Sequence, residues 1–268
     1  MTIMKALPLA VLAFLALMPA VRAADIPVDL STPVPPKAEH WSYEGPFGLY
    51  DRAALQRGFQ VYKEVCSACH SLNRVAFHDL DGIGFSAAQI KAIAAGYKVP
   101  AEPNDKGELF DSNGERLTRP GIAADHFPAP FANEEAARTA NGGALPPDLS
   151  LIVKAREGGA QYVYSIVTGF HMTPPKGFTV QAGKYFNPYF PGGNISMPPP
   201  LTEGAVTFSD GTQATVDQEA HDVVTFLAWA SETKMEDRKR IGFGVMIFMV
   251  VLSGLLFLSY RRVWKDAH

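Results

Sequence analysis

Both cysteines of this 268-residue chain fall within five residues, Cys66-Ser67-Ala68-Cys69-His70. Two thiols three residues apart, followed at once by an imidazole, form the spacing that attaches haem covalently. Each thiol adds to one vinyl group, and the adjacent histidine is placed under the iron as proximal ligand. Other uses of the pair fit less well. A thioredoxin-like dithiol needs a helix that begins at its first cysteine in a βαβ setting, whereas a helical pattern ends here. A zinc site needs a second Cys or His pair at close spacing, and this sequence has none. A disulfide between the two would close a tiny, strained loop of little stabilising value. The expected cofactor is one covalent haem c held by Cys66, Cys69 and His70.

A haem that carries electrons needs a sixth ligand, because an open position invites oxygen or peroxide chemistry; Met/His ligation raises the potential. Two downstream methionines lie in loops: Met172 in His171-Met172-Thr173-Pro174-Pro175, and Met197 in Ile195-Ser196-Met197-Pro198-Pro199-Pro200. A methionine is ordinarily core filler. Met197, however, precedes three prolines that fix the backbone and would present its sulfur rigidly. Spacing puts Met197 first and Met172 second, with His171, His126 or an open site as the remaining choices.

These groups need elements to hold them. Asp51 is a fitting N-cap for a helix to about Val65, with Leu55, Phe59 and Tyr62 or Val61 on one face. Ser86, with Gln89 three residues on, opens a second helix to Tyr97. A short helix is expected over Asn133–Asn141, and a helical pair over Leu149–Glu157 and Ala160–Thr168, parted by Gly158-Gly159. Asp217 to about Glu232 reads as amphipathic, with Val223, Val224, Phe226, Leu227 and Trp229 on one side, and should run on into the C-terminal segment. His221, Trp229 and Trp41 read as packing residues. The 21 prolines and 23 glycines gather between these stretches, notably in 98–130 and 171–216, with a possible hairpin at Asp210-Gly211. Residues 25–46 read as an extended, proline-rich arm laid over the domain or a partner. The fold class is mainly α: a cytochrome c-like haem domain with long loop insertions and one C-terminal transmembrane helix.

The two ends are separate from that domain. Lys5, an apolar run from Ala6 to Met18, and Val21-Arg22-Ala23 have the layout of a signal peptide over residues 1–23. Ile241–Tyr260 carries no charge over 20 residues, enough to cross a bilayer, with Arg238-Lys239-Arg240 before it and Arg261-Arg262 after it. The expected organisation is a leader, an exported domain over 24–236, an anchor over 237–262 and a cytoplasmic tail over 263–268. Between Ala24 and Glu236 there are 16 Lys and Arg against 25 Asp and Glu, so the whole-chain charge of −3 conceals a domain of −9. That balance excludes a nucleic-acid binder. It also suits the steering of a basic partner, with Glu102, Asp105, Glu108, Asp111 and Glu115 as the densest acidic stretch.

Several longer runs carry a family resemblance: Trp41–Gly48, Cys66–His70, Ala140-Asn141-Gly142-Gly143-Ala144-Leu145-Pro146-Pro147-Asp148-Leu149-Ser150, Tyr185–Gly192, and the anchor after Arg238–Arg240. Through them the chain resembles the cytochrome c1 family, the membrane-anchored haem subunits of the cytochrome bc1 (ubiquinol–cytochrome c oxidoreductase) complex. The resemblance implies Met197 as sixth ligand, and Asn141, Ala144, Pro146 and Pro147 lining the haem. It implies that Arg156 and Tyr162 face the haem edge and propionates; a guanidinium suits a propionate. It further implies membership of a dimeric complex with cytochrome b, with the haem domain in the periplasm and the anchor in the inner membrane. The chain would relay one electron from a Rieske iron–sulfur protein to a soluble c-type cytochrome, making no bonds of its own. A freestanding anchored cytochrome and an open-site haem peroxidase are the rival readings. Some bacterial members carry an extra cysteine pair near the methionine loop; this chain has none.

Overall fold

A computed structural model describes residues 32–265. The expected leader and the last three residues of the tail lie outside that range.

Two helices make the frame. α1 (Arg52–Glu64) starts where the Asp51 carboxylate accepts hydrogen bonds from the Ala53 and Ala54 amides. Its apolar stripe of Leu55, Phe59, Val61 and Tyr62 is buried, as its 3.6-residue period requires. α2 (Ala87–Ala95) opens on the expected Ser86–Gln89 capping box. α3 (Glu134–Ala140) is capped by Asn133, and α4 (Gly159–Thr168) follows the left-handed Gly158. α5 (Val216–Ser231) crosses α1 so closely that a Cβ on Gly58 would lie 2.0 Å from the Asp222 carbonyl oxygen. Only glycine fits there.

α5 is not the half-exposed helix its pattern implied. From Glu219 to Ser231 every residue except His221 is buried, including Glu219 and Asp222. Asp222 is tolerated because the Arg57 guanidinium donates to both its oxygens, at 2.7 and 3.1 Å. A buried carboxylate is acceptable only with such partners. Phe59, Tyr62, Phe77, Phe127, Phe226 and Trp229 fill the space between α1, α5 and the flanking loops.

Three local expectations are corrected. Residues 149–157 form successive turns, not a helix: Ile152 N–H closes on Leu149 and Lys154 N–H on Leu151, three residues back, with a single four-residue closure from Ala155 to Leu151 before the left-handed Gly158-Gly159 pair ends the segment. Leu149 N–H donates to the Ser71 carbonyl, Ser150 N–H to Asp148, and the Ser150 hydroxyl accepts from Arg74 N–H. Asp210-Gly211 is a turn without strands, since Asp210 accepts from Arg57 and from Thr212 N–H. Short antiparallel pairs occur instead at β1 (Lys98–Pro100) with β2 (Thr118–Pro120), and at β3 (Tyr185–Phe186) with β4 (Asn194–Ile195). Finally, α5 does not run on into the anchor. The chain breaks at Glu232–Lys234, where the Glu232 carboxylate is held between Lys154 and Arg238, before α6 (Met235–Val263) begins. A 3-10 helix at Phe77–Ile83, missed by pattern reading, seats Phe77, Leu80 and Ile83 in the core.

The arm, described from residue 32, lies over the domain. Lys37 N–H donates to the Ser165 hydroxyl, and Glu39 and Gln161 exchange two bonds. Trp41 stacks on His221 with ring centres 4.8 Å apart, consistent with packing roles for both. α6 is 29 residues long with a mean hydropathy of 2.6 in its apolar window, long and apolar enough to span a membrane.

Candidate functional site

Cys66 begins a single 3-10 turn, Cys66–Ala68, continuous with the end of α1. The turn is closed by Cys69 and His70 amides donating to the Cys66 carbonyl at 3.1 and 2.9 Å, so both thiols and the imidazole project from one rigid bend. Desolvation first, and then the neighbouring Cys69, pushes the Cys66 thiol up to about 12. It is therefore a neutral thiol and not a primed thiolate nucleophile. Burial likewise lowers the His70 pKa, opposed by its bond to Pro147 and by Asp148, which favours the neutral imidazole a metal requires.

The His70 ring is oriented through its far nitrogen: Nδ1 lies 2.8 Å from the Pro147 carbonyl oxygen. As donor to that carbonyl, Nδ1 leaves Nε2 with its lone pair free. Pro147 is in turn held by Asp148, a residue that pattern reading passed over. Its carboxylate accepts from the Ser71 hydroxyl at 2.7 Å, from Asn73 N–H at 2.9 Å and from Ser150 N–H at 2.8 Å. Desolvation works to raise the Asp148 pKa, but those bonds outweigh it and leave the group below its ordinary value.

Across from this bend is the loop after β4. Between the two lies a cavity of about 500 Å³, within the range of cofactor pockets. All ten residues singled out from the sequence line it: Cys66, Cys69, His70, Asn141, Ala144, Pro146, Pro147, Arg156, Tyr162 and Met197. Met172, His171 and His126 do not; Met172 is 46% exposed elsewhere, and His126 pairs with Ala76 in an isolated bridge. Val223 and Leu227, one turn apart on α5, and Ile166 on α4 complete the apolar wall. Their signal was present as helical periodicity, but periodicity does not distinguish core from cavity lining. Phe190 joins from irregular chain and Ile195 from the two-residue β4, and neither carried such a signal.

The donors fit a covalent haem. Two thiols and a neutral imidazole stand on one wall and a thioether on another, with apolar surface between for a flat macrocycle. Polar groups sit at the margin. Arg156 donates only to the carbonyl of Ala155 and has no carboxylate partner among the described residues, so its charge remains available to an anionic group. Tyr162 presents a half-buried ring whose hydroxyl desolvation holds in the protonated form.

The sequence aligns with those of known proteins. The family model for the Cytochrome C1 family matches residues 41–267. Cytochrome c1 of Rhodospirillum rubrum is 48% identical over 243 residues, covering 85% of this chain and 87% of the relative. Cytochrome b/c1 of Bradyrhizobium diazoefficiens is 47% identical over 254 residues, covering 87% of this chain but only 36% of that longer protein. The mitochondrial "Cytochrome c1 1, heme protein" of Arabidopsis thaliana is 48% identical over 223 residues, covering 83% of this chain and 70% of the relative.

Proposed function

The chain belongs to the cytochrome c1 family, and from that premise we propose that it relays single electrons from a Rieske iron–sulfur protein to a soluble c-type cytochrome. It is a haem c-bearing electron-transfer subunit of the cytochrome bc1 complex, and cytochrome b is its partner there. Bound in the cavity, haem c supplies a one-electron iron couple. Cys66 and Cys69 would hold it covalently, and His70 and Met197 would ligate the iron. The supporting observation is that one cavity gathers Cys66, Cys69 and His70 on one wall and Met197 on another, while excluding Met172.

The protein's own residues act by position and exclusion. Pro147 fixes the His70 tautomer. Val223, Leu227 and Ile166 keep water and competing ligands out, and Arg156 would pair with a propionate. In this reading residues 1–23 direct export, 24–236 form the periplasmic domain, 237–262 anchor it in the inner membrane, and 263–268 remain in the cytoplasm. The complex oxidises ubiquinol, whereas this chain alone makes and breaks no bonds.

Met197→Leu in the purified complex should lower the haem potential strongly and let the reduced form bind carbon monoxide, while Met172→Leu leaves both unchanged. The opposite result would overturn the ligand assignment. The acceptor side rests on charge. Glu102, Asp105, Glu108, Asp111 and Glu115 are all exposed on the long excursion between β1 and β2. Screening shortens electrostatic reach to about 10 Å at 0.1 M salt. Reduction of a basic soluble cytochrome should therefore slow markedly as salt rises; a second-order rate indifferent to salt would remove this docking mode.

A further inference from the structure

Residues 43–50 turn back onto the first turns of α6 and are clamped there. Lys239 Nζ donates to the carbonyls of Tyr43 and Gly48, at 2.7 and 2.9 Å. The Glu236 carboxylate accepts from Tyr50 N–H at 2.8 Å and from the Arg52 guanidinium. Held between these ties is an apolar tip that the domain core does not cover: Phe47 is 75% exposed and Leu49 60%. The Phe47 ring meets Phe243 edge-on, with centres 5.8 Å apart. Phe47, Leu49 and Phe243 border a recess with Lys239 and Arg240.

The position of this tip is informative. Phe243 lies two residues inside the uncharged run that starts at Ile241 and three beyond Arg240. At 1.5 Å rise per residue, it sits about 4–5 Å further along the helix than the last basic residue. Phe47 is thus fixed at the depth where α6 passes from polar to apolar surroundings, with a basic collar just above. Aromatic rings beside basic side chains are the usual furniture of the membrane–water interface.

We propose that the Pro46–Tyr50 loop is a membrane foot: Phe47 and Leu49 insert into the lipid bilayer beside α6, with Lys239 and Arg240 at the level of the headgroup phosphates. Lipid is favoured over a protein partner by continuity. The tip extends the surface of α6 itself, which is exposed on nearly every residue from Ile241 to Val263, and its rim carries charges of both signs, Glu236 and Asp237 with Lys239 and Arg240, as a layer of zwitterionic and anionic headgroups can meet. The foot gives the domain a second point of support. Together with the clamp onto α6, it keeps the cavity at a fixed height and tilt over the membrane.

The inference rests on α6 spanning a membrane, and one experiment separates the two. With both native cysteines consumed by haem, single variants Phe47→Cys, Asn113→Cys and Val250→Cys of the full-length holoprotein can each carry one nitroxide label. In vesicles of phosphatidylethanolamine and phosphatidylglycerol, collisions with oxygen and with a water-soluble nickel chelate report depth. At position 47 oxygen should dominate several-fold, as at 250, and the chelate should dominate at 113. Chelate dominance at 47 with oxygen dominance at 250 would overturn the foot alone. Chelate dominance at 250 would overturn the anchor as well. Low access to both reagents at 47 would mean that protein covers the tip, and would equally overturn insertion into lipid.

Discussion

The two walls of the cavity are built from different material. The bend bearing Cys66, Cys69 and His70 continues from α1, which is locked against α5 at Gly58 and backed by the aromatic core. Behind it, Asp148 ties the Pro147 segment to Ser71 and Asn73. The wall bearing Met197 has no helix of its own. It rests on a small satellite cluster of Ile166, Tyr189 and Ile195, against which Val34, Phe170, Phe190 and Met197 pack. Two-residue strands and a few polar ties hold it in place. Among those ties, Asn187 is fully buried and donates to the Ile166 carbonyl at 2.7 Å while accepting from Tyr189 N–H at 3.1 Å. This is how the methionine loop is braced without extra cysteines. One wall is over-determined, and the other depends on single interactions. Damage of similar kind should therefore have unequal consequences.

The largest effect is expected at Asn187. Asn187→Ala leaves the buried Tyr189 amide without its acceptor and opens a gap beside Gly169, whose backbone approaches the Asn187 side chain closely. Burying an unsatisfied donor costs about 1–3 kcal/mol, which the gap increases. Thermal unfolding of the holoprotein should fall by several degrees, and the thioether–iron absorption should weaken while haem stays covalently bound. Unchanged absorption at a lowered Tm would show that the methionine wall does not depend on Asn187.

Asp148→Ala is a smaller blow to the stronger wall. It removes three hydrogen bonds, at a cost of roughly 1–3 kcal/mol: Ser71 and the Asn73 amide can turn to water, but the Ser150 amide is buried. The axial-histidine signals in the spectrum of the oxidised protein should shift while the thioether band persists, the reverse of the Asn187 signature. If both variants lose the same band, the two walls are mechanically one.

The smallest effect concerns acid. The segment that braces residues 75–77 is pinned by Asp125, which the Arg119 guanidinium and then the Ile122 N–H hold down to about 2. A depressed carboxyl adds stability that is fully present above its ordinary value of 3.8 and is lost as pH falls toward about 2. The pair is largely solvent-screened, so the difference in stability between wild type and Asp125→Asn should be the smallest of the three. It should appear above pH 4 and vanish in acid-unfolding curves near pH 2. A difference that grows on acidification would contradict the assignment.

How much was readable beforehand differed along the chain. Elements whose stability is local could be read: the caps at Asp51 and Ser86, the short helix from Asn133, the attachment motif, and the apolar period of α5. In place of the helix expected at 149–157 the chain makes mostly three-residue closures, with its start anchored to distant partners: Leu149 N–H donates to Ser71 and the Ser150 hydroxyl accepts from Arg74 N–H. Propensity cannot register an anchor 76 residues away. The same limit hid Asp222, whose burial makes sense only once Arg57 is beside it.

The sequence by itself determined the chemistry: two thiols and an imidazole in one bend, a short set of sulfur and nitrogen ligands to choose from, and a basic-flanked apolar span. Those follow from residue type and spacing, which need no fold. Only the tertiary structure decided between Met197 and Met172 as the sulfur that reaches the cavity, gave Asp148 its place behind the histidine, and set Phe47 beside the anchor. Each of these depends on which distant segments of a loop-rich chain meet, and that is settled by packing around the α1–α5 crossing, not by any local pattern.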